Sequence, residues 1–540
     1  MTSIESEIQI YQEPWMVDIL KQFILSTSRV WRCMYDNHIS VIKKTQNIDV
    51  SVSKTKISSS STTELTRYID YAKNIRDFKI KLPDWFLLSN GTIVQKIIPC
   101  YDADIDMMPL VLIDLYFAKD RTFILAHMTN TMIRNGMHVS DVVTRCIFKC
   151  FSNPYCLSYI RNYITSPERC FLIQDHYVAY YEHLKFAILD KNVKRMVLLS
   201  SRQIFIMIEI IRDSKEILIN DIMLIDAKRG KECKKIICGK KNWTKSIFKK
   251  LWPNLEIIIL LKDGCYRLYT DRAKNYVEDV MLYSPIYFIS ETTLGYNLNR
   301  SNTYVLDPTK GYFEFIKITD NFNDSTIPTV GIRHLNIGDM YNIVVSTATM
   351  NLNRYITGEI VRVINYFNGS PEIEIVCRET DIIYNNDDII TPDMIENILQ
   401  IELHIVNYCY RHNDKEQLLR KHKIKLYVEL DETNYLYHDR NDSNDSNNSN
   451  NSNHNMFDNS NLSESVYDVS QTVKDINICG NLLDKLGLDT ELRIVKPQTF
   501  EKLHKCRYSE HIDPALVQVP KMITDVIDFD ILRDNILYMY

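Results

Sequence analysis

The sequence predicts an α/β protein: a large amino-terminal α/β domain carrying a β-rich layer, followed by a smaller α+β domain. Three observations carry that expectation. Short apolar runs at residues 255–261 and 286–289 are bounded by turn signals, so they are too short for helices and read as buried strands. Residues 177–189 repeat apolar positions at helical spacing, and a strand-plus-helix pattern continues to Asp221, which is how an α/β layer is assembled. Strands then follow one another at 312–318, 343–346, 354–366 and 372–378, with Asn368-Gly369 as a hairpin turn. The run at 312–318 alternates, as a half-buried strand does.

Before these elements, residues 13–37 place Trp15, Met16, Ile19, Leu20, Phe23 and Ile24 on one helical face. The longest apolar stretch, residues 196–211, is interrupted by Arg202, Gln203 and Glu209 and reads as a buried helix, not a membrane span. Cys146, Cys150 and Cys156 sit on or near one helix. After Arg378 the composition turns acidic and Asn-rich to Asp388, then Thr391-Pro392 opens a helix to Gln400. This places a domain boundary near 380, dividing residues 1–380 from 381–540. The second domain has strands at 401–410 and 424–430, then a helix, strand and helix at 466–486, 491–495 and 498–505. Residues 439–461 are too polar to bury apolar surface and read as a disordered insertion.

Composition narrows the function. With 540 residues, 45% hydrophobic and 25% charged, the chain has enough apolar mass for more than one core. A net charge of -5 gives no electrostatic case for nucleic acid or an anionic membrane, and the basic run at 228–250 reads as a solvated face. The 13 cysteines form neither a zinc pattern nor a disulfide framework, and the acidic, polar start carries no signal-peptide pattern. A reduced, cytoplasmic protein is expected. Only 13 glycines are present, against a usual frequency of about 7%, which disfavours a glycine-rich phosphate loop.

Two stretches carry candidate chemistry. At residues 287–299 a buried strand gives way to Ser290-Glu291-Thr292-Thr293, with Gly295 freeing the backbone beyond. This corner is either a solvated turn or a carboxylate-and-hydroxyl cluster at a strand's carboxyl end, suited to phosphate and magnesium. The tract Ser58-Ser59-Ser60-Ser61-Thr62-Thr63 is either a loop capping a helix through Ser61 or Thr63, or a hydroxyl cradle for phosphate oxygens.

In order along the chain, these words resemble the Gretchen Hagen 3 family of auxin-responsive acyl-acid amido synthetases, within the adenylate-forming superfamily. The resemblance rests on Leu251-Trp252-Pro253-Asn254, on Tyr287 with Ser290-Glu291 and Leu294-Gly295-Tyr296-Asn297, and on Tyr312-Phe313-Glu314-Phe315. It continues through residues 354–363, Glu374-Ile375-Val376-Cys377-Arg378, residues 491–500 and Val519-Pro520-Lys521. It implies an ATP- and Mg2+-dependent ligase: a small carboxylic acid attacks the α-phosphate, and an amino acid's amine then displaces AMP. It also implies a small domain acting as a lid that turns about residues 379–391; a monomer without nucleic-acid or membrane partners is expected. Carried over by motif, Ser59, Ser60, Ser61, Thr62 and Thr63 take the phosphate loop, and Tyr287, Ser290 and Glu291 the second motif. Glu291 is the magnesium-side carboxylate. Tyr355 and Glu359 take the third motif, where the family has Asp for the ribose, and Arg378 the position before the hinge.

The sequence departs from the family pattern at several of these places. Ser61 and Leu65 replace glycines, Glu64 adds negative charge beside the phosphates, Ile356 replaces a basic residue, and Ile389 stands where a hinge lysine belongs. A side chain where backbone approaches phosphate is a steric objection. The alternative expectation is therefore a catalytically impaired relative that binds a small molecule or a protein.

Overall fold

The computed structural model describes residues 85–89, 96–100, 120–134, 137–152, 154–239, 244–308, 310–318, 328–347, 352–385, 388–403, 405–412, 423–430, 469–508 and 511–539. The chain separates into two compact units, one of residues 1–380 with 507–518, the other of 381–506 with 519–540. The expected helix at 13–37, the Ser58–Thr63 tract and the Asn-rich insertion lie outside the described residues.

Two sheets organise the first unit. The first is wholly parallel, in the order Thr122–Ile124, Arg195–Ser200, Ile257–Leu261 and Met281–Tyr283. Parallel strands covered by helices on both faces need apolar residues on both, which explains the continuous run at 257–261. Phe123, Met196, Leu198, Ile258 and Leu260 pack in one core with Ala187, Ile188, Met207 and Ile211 from the flanking helices. The helix His176–Leu189 starts where the Asp175 carboxylate accepts from the Val178 amide, satisfying one of its unpaired donors. Trp252, fully buried, donates its indole N–H to the Ala187 carbonyl at 2.7 Å and ties the turn at 251–254 to that helix.

One expectation fails here. Residues 196–211 are not a single helix: strand Arg195–Ser200 ends at Ser201, and helix Arg202–Asp213 begins after it. Apolar periodicity could not separate them, because both elements are buried and read alike. Gln203 marks the junction, its side-chain oxygen accepting from the Leu199 amide at 2.6 Å. The three cysteines are likewise divided between two helices, Val142–Ser152 and Pro154–Tyr163.

The second sheet is antiparallel, eight strands in the order Val330–Gly331, Tyr312–Lys317, Met340–Thr347, Leu352–Phe367, Ser370–Arg378, Thr303–Leu306, Thr293–Tyr296 and Ile286–Phe288. Asn368 and Gly369, at φ 49° and 83°, make the two-residue turn of its central hairpin. Strand Tyr312–Lys317 is buried on both faces, not half-buried as its alternation suggests. Phe313 and Phe315 face the core, and on the other face Glu314 accepts from the Arg354 guanidinium at 3.1 Å. Gly295 serves this sheet by lacking a side chain: a Cβ there would lie 2.4 Å from the Val305 carbonyl oxygen of the neighbouring strand. A smaller sheet sets Trp85–Ser89 between Lys96–Cys100 and Met137–Ser140, and Trp85, Leu87 and Ile98 join the core of the eight-stranded sheet.

The second unit is built on the sheet Ile405–His412, Lys423–Leu430, Asp489–Val495 and Ile536–Met539. Its helix Pro392–Leu403 runs past Gln400, so the strand expected from Ile401 begins at Ile405. Ile395, Leu399 and Leu403, all fully buried at helical spacing, complete one stripe. No helix among the described residues is long and apolar enough to cross a membrane.

Candidate active site

Strand Ile286–Phe288 and strand Thr293–Tyr296 pair antiparallel, and the Ile289 amide donates to the Thr292 carbonyl at 2.9 Å. Ser290 and Glu291 therefore form the tip of a tight connection. The corner is not a solvated turn, because the Glu291 side chain is only 4% exposed. Its Oε1 accepts from Lys96 Nζ at 2.8 Å and from the Tyr355 hydroxyl at 2.7 Å, and Lys96 Nζ also donates to the Tyr355 oxygen at 2.9 Å. Burial acts to raise the Glu291 carboxyl, but the Lys96 ammonium and the bonds from Lys96 and Tyr355 outweigh it and hold the group below the usual carboxylate range.

A second cluster centres on Glu359, 3% exposed, whose Oε1 lies 3.1 Å from the Arg378 guanidinium. Its Oε2 accepts from the Tyr287 hydroxyl at 3.1 Å. Glu359 and Arg378 are direct cross-strand partners. The strand carrying Glu359 is irregular at this point: its register against Met340–Thr347 slips between the pairs Val344↔Ile356 and Asn342↔Ile360. Gly358 occupies the bulge at φ 78°, in the left-handed region glycine favours. The Thr357 hydroxyl closes it, donating to the Ile343 carbonyl at 2.9 Å while accepting from the Glu359 amide.

The two clusters are electrostatically joined. Burial opposes charge on Arg378, yet Glu359, then Cys265, Tyr287 and Glu291, outweigh it and raise the guanidinium further. Arg378 also feels the loop after parallel strand Ile257–Leu261, where a Cβ on Gly264 would meet Ile375 at 3.4 Å and the Tyr287 hydroxyl at 3.5 Å. The site thus lies where the carboxyl end of a parallel strand reaches the antiparallel sheet. Its two carboxylates are almost covered, whereas Lys96 and Arg378 keep 17% and 25% side-chain exposure. The more exposed member of each pair is therefore its cation.

Of the residues singled out by sequence, Tyr287, Glu291, Tyr355, Glu359 and Arg378 come together, with Ser290 beside Glu291. Ser59, Ser60, Ser61, Thr62 and Thr63 lie outside the described residues. Lys96 was missed: a lysine opening a short strand has no distinguishing pattern. Asp263, in the turn that follows the apolar run at 255–261, also belongs here: its carboxylate accepts from the Tyr304 hydroxyl, and the Tyr304 and Tyr287 rings are 5.5 Å apart.

Beside this site is a cavity of about 220 Å³ walled by helices Val142–Ser152 and Pro154–Tyr163, by the parallel strands and by Ile286 and Phe288. Successive residues of a strand point to opposite faces, so Ile286 and Phe288 line the cavity while Tyr287 turns to Glu359. Helix Val142–Ser152 is fixed by buried Asp141, which accepts from the Thr144 amide at 2.7 Å and the Asp513 amide at 3.2 Å. Burial pushes the Asp141 carboxyl up to about 6. Asp513 in turn accepts from the Tyr180 hydroxyl and the Ala515 amide. Its Oδ2 lies 3.4 Å from Nδ1 of His127, whose pKa burial lowers to about 3.

This pairing of parallel and antiparallel sheets, with an apolar cavity beside two cation-paired carboxylates, is a fold that the chain shares with a solved acyl acid amido synthetase. The comparison with solved structures agrees: AtGH3.15 acyl acid amido synthetase in complex with 2,4-DB superposes with a TM-score of 0.70 at 19% identity, covering 97% of this chain and 96% of that one. The GH3 family N-terminal domain profile matches residues 80–282 and the GH3 family central domain profile residues 304–378, together just over half of the sequence. The chain belongs to the GH3 family. Among curated relatives, the jasmonoyl–L-amino acid synthetase JAR4 of Nicotiana attenuata is 32% identical over 152 residues, 27% of this chain and 26% of that protein. The 4-substituted benzoates-glutamate ligase GH3.12 of Arabidopsis thaliana is 31% identical over 173 residues, 31% of this chain and 29% of that protein. The matched segment spans about a quarter of the length of these relatives.

Proposed function

We propose that this protein is an ATP-dependent ligase that activates a carboxylic acid as its acyl adenylate and transfers the acyl group to an amino acid. The observation that carries the reading is the pair of buried carboxylates, Glu291 and Glu359, each held by a cation and a tyrosine hydroxyl in a GH3 family chain. In the first half-reaction an acid carboxylate oxygen bonds to the α-phosphorus and pyrophosphate leaves. In the second, the amine bonds to the acyl carbon, AMP leaves, and the amine gives up a proton. Both steps gather negative charge, so the chain's contribution is positioning and charge compensation.

Lys96 and Arg378, the more exposed ends of the two pairs, are the groups placed to meet acid carboxylate and phosphate oxygens. Glu359 is the acceptor for ribose hydroxyls; each of its oxygens has a second lone pair beyond the one taken by Arg378 or Tyr287. The donor set also suits magnesium, which binds through one or two carboxylates plus phosphates and water, Glu291 being the carboxylate in question. No cluster of three metal-ligating side chains exists among the described residues, so substrate oxygens would complete such a site. When bound, magnesium would supply charge neutralisation at the phosphates. The acyl group belongs in the apolar cavity: Glu291 follows Phe288 by three residues, a span of at most about 10 Å. We assign residues 381–506 with 519–540 the role of a lid turning about residues 379–391. The cytoplasm, in monomeric form, is the compartment we propose.

The test is ATP–pyrophosphate exchange over a panel of carboxylic acids, with amide products read by mass spectrometry when amino acids are added. Acid-dependent exchange, lost in Arg378→Ala and Glu291→Gln, is expected. No exchange with any acid, together with no ATP binding by calorimetry, overturns the ligase reading and leaves a binding module.

A further inference from the structure

The cavity's wall chemistry restricts what it can hold. Among the described residues, its lining side chains apart from Ser284 and Tyr159 are aliphatic, phenyl or thiol, and none is charged. The Ser284 hydroxyl is already engaged, donating to the Ile286 carbonyl at 3.4 Å and interacting with the Tyr304 hydroxyl. The Tyr159 ring packs against Tyr163 at 5.0 Å and is 4% exposed. Cys146 and Cys150 face the same space as neutral thiols, burial pushing each up to about 12, so they behave as small apolar groups. Among the described residues, no arginine, lysine or side-chain amide stands on this wall.

Resting on the ligase reading above, we infer that the acid this cavity accepts is a monocarboxylic acid whose remaining body is hydrocarbon, with no hydroxyl, amino or second carboxyl group. The cations at Lys96 and Arg378 answer its one carboxylate, and no charged or amide side chain among the described residues of the wall answers a second polar group. A hydroxyl carried into the cavity gives up its bonds to water without replacement, which lowers affinity by about 10- to 100-fold. Size adds a bound. An apolar cavity of about 150 Å³ holds benzene, so 220 Å³ takes one ring on a short tether, or an alkyl chain of similar bulk.

The experiment uses the full chain and matched pairs: 4-phenylbutyrate against 4-(4-hydroxyphenyl)butyrate, and octanoate against 8-hydroxyoctanoate. Binding is read by calorimetry without nucleotide, and exchange is read separately. We expect the unsubstituted member of each pair to bind at least about tenfold more tightly. Cys150→Ser, a single-atom change that places a hydroxyl on the wall, should shrink that ratio. Equal affinity, tighter binding of the hydroxylated acids, or no binding of either member at millimolar concentration overturns the inference. Tenfold preference in binding with no exchange for any acid sinks the ligase reading while the cavity assignment stands. Exchange that favours hydroxylated acids does the reverse.

Discussion

Replacing Lys96 by alanine tests the site at its least anticipated contact. The substitution removes the ammonium 2.8 Å from Glu291 Oε1 and leaves a carboxylate that is 4% exposed with Tyr355 as its remaining donor from that pair. Breaking a buried ion pair by removing one partner costs about 3–5 kcal/mol. Protonation sets a ceiling on that cost. With an unfolded-state value near 4.5, taking up a proton at pH 7 costs about 1.36 × 2.5, or roughly 3.4 kcal/mol, so the variant should lose about 3 kcal/mol. The pH dependence follows in sign. In the wild type the carboxyl is depressed, so its stabilisation is present above 4.5 and fades as pH falls. In the variant, burial is opposed by the Tyr355 bond without the lysine and raises the carboxyl, so stability drops as pH rises. The gap between the two proteins therefore widens from pH 5 to pH 7. Urea unfolding followed by tryptophan fluorescence reads this gap, since Trp85 shares a core with Tyr355. A difference under about 1 kcal/mol at pH 7, or one that does not change between pH 5 and 7, would refute the account of a buried, lysine-compensated carboxylate. Pairing Lys96→Met with Glu291→Gln removes both charges and should recover most of the loss.

Other perturbations probe the rest of the site. Arg378→Met strips Glu359 of its guanidinium and leaves Tyr287 as the partner at 3.1 Å; about 3 kcal/mol of stability should go, measured by the same unfolding, and Glu359→Gln in that background should restore part of it. Gly358→Ala meets no atom within 4 Å but forces a left-handed φ of 78° on a side chain, so about 1–2 kcal/mol is expected from the backbone alone. Gly331→Ala, also in open space but at φ -83°, should be neutral or slightly stabilising. His127 and His183 are buried neutral with values near 3, so each contributes stability that is lost as pH falls below about 6.5, whereas Asp141, raised to about 6, contributes stability lost as pH rises from 3.8 through 6. Asp141→Asn removes the opposing group; its stability should climb with pH more steeply than the wild type's, by about 1 kcal/mol per pH unit near pH 5, and parallel curves would contradict the raised carboxyl.

The fold was legible where pattern and burial agree. Run 257–261 and helix 177–189 stand within two residues of their expected ends, because each is covered in the way its periodicity implies. At 196–211 the same logic failed: a buried strand and a buried helix share one apolar signature, and the bond that the Leu199 amide donates to the Gln203 side-chain oxygen marks the change. Within the site, Tyr287, Tyr355, Glu359 and Arg378 were reachable as words in order, yet their pairing was not. Register decides it: in the hairpin with Ser370–Arg378 the pairing slips between Ile360 and Val361 and again between Val363 and Asn365, and Glu359 comes opposite Arg378. Lys96 lay beyond any sequence pattern, since it meets Glu291 across 195 residues through strand pairing in a different sheet. Its presence alters the electrostatic argument. Counting motif positions suggested a nucleotide site stripped of basic groups at Ile356 and Ile389. The folded chain instead sets two cations against two carboxylates, with the cations outermost. On the ligase reading, Lys96 is a cation that lies outside the motifs, so the missing letters do not by themselves measure what the site can bind.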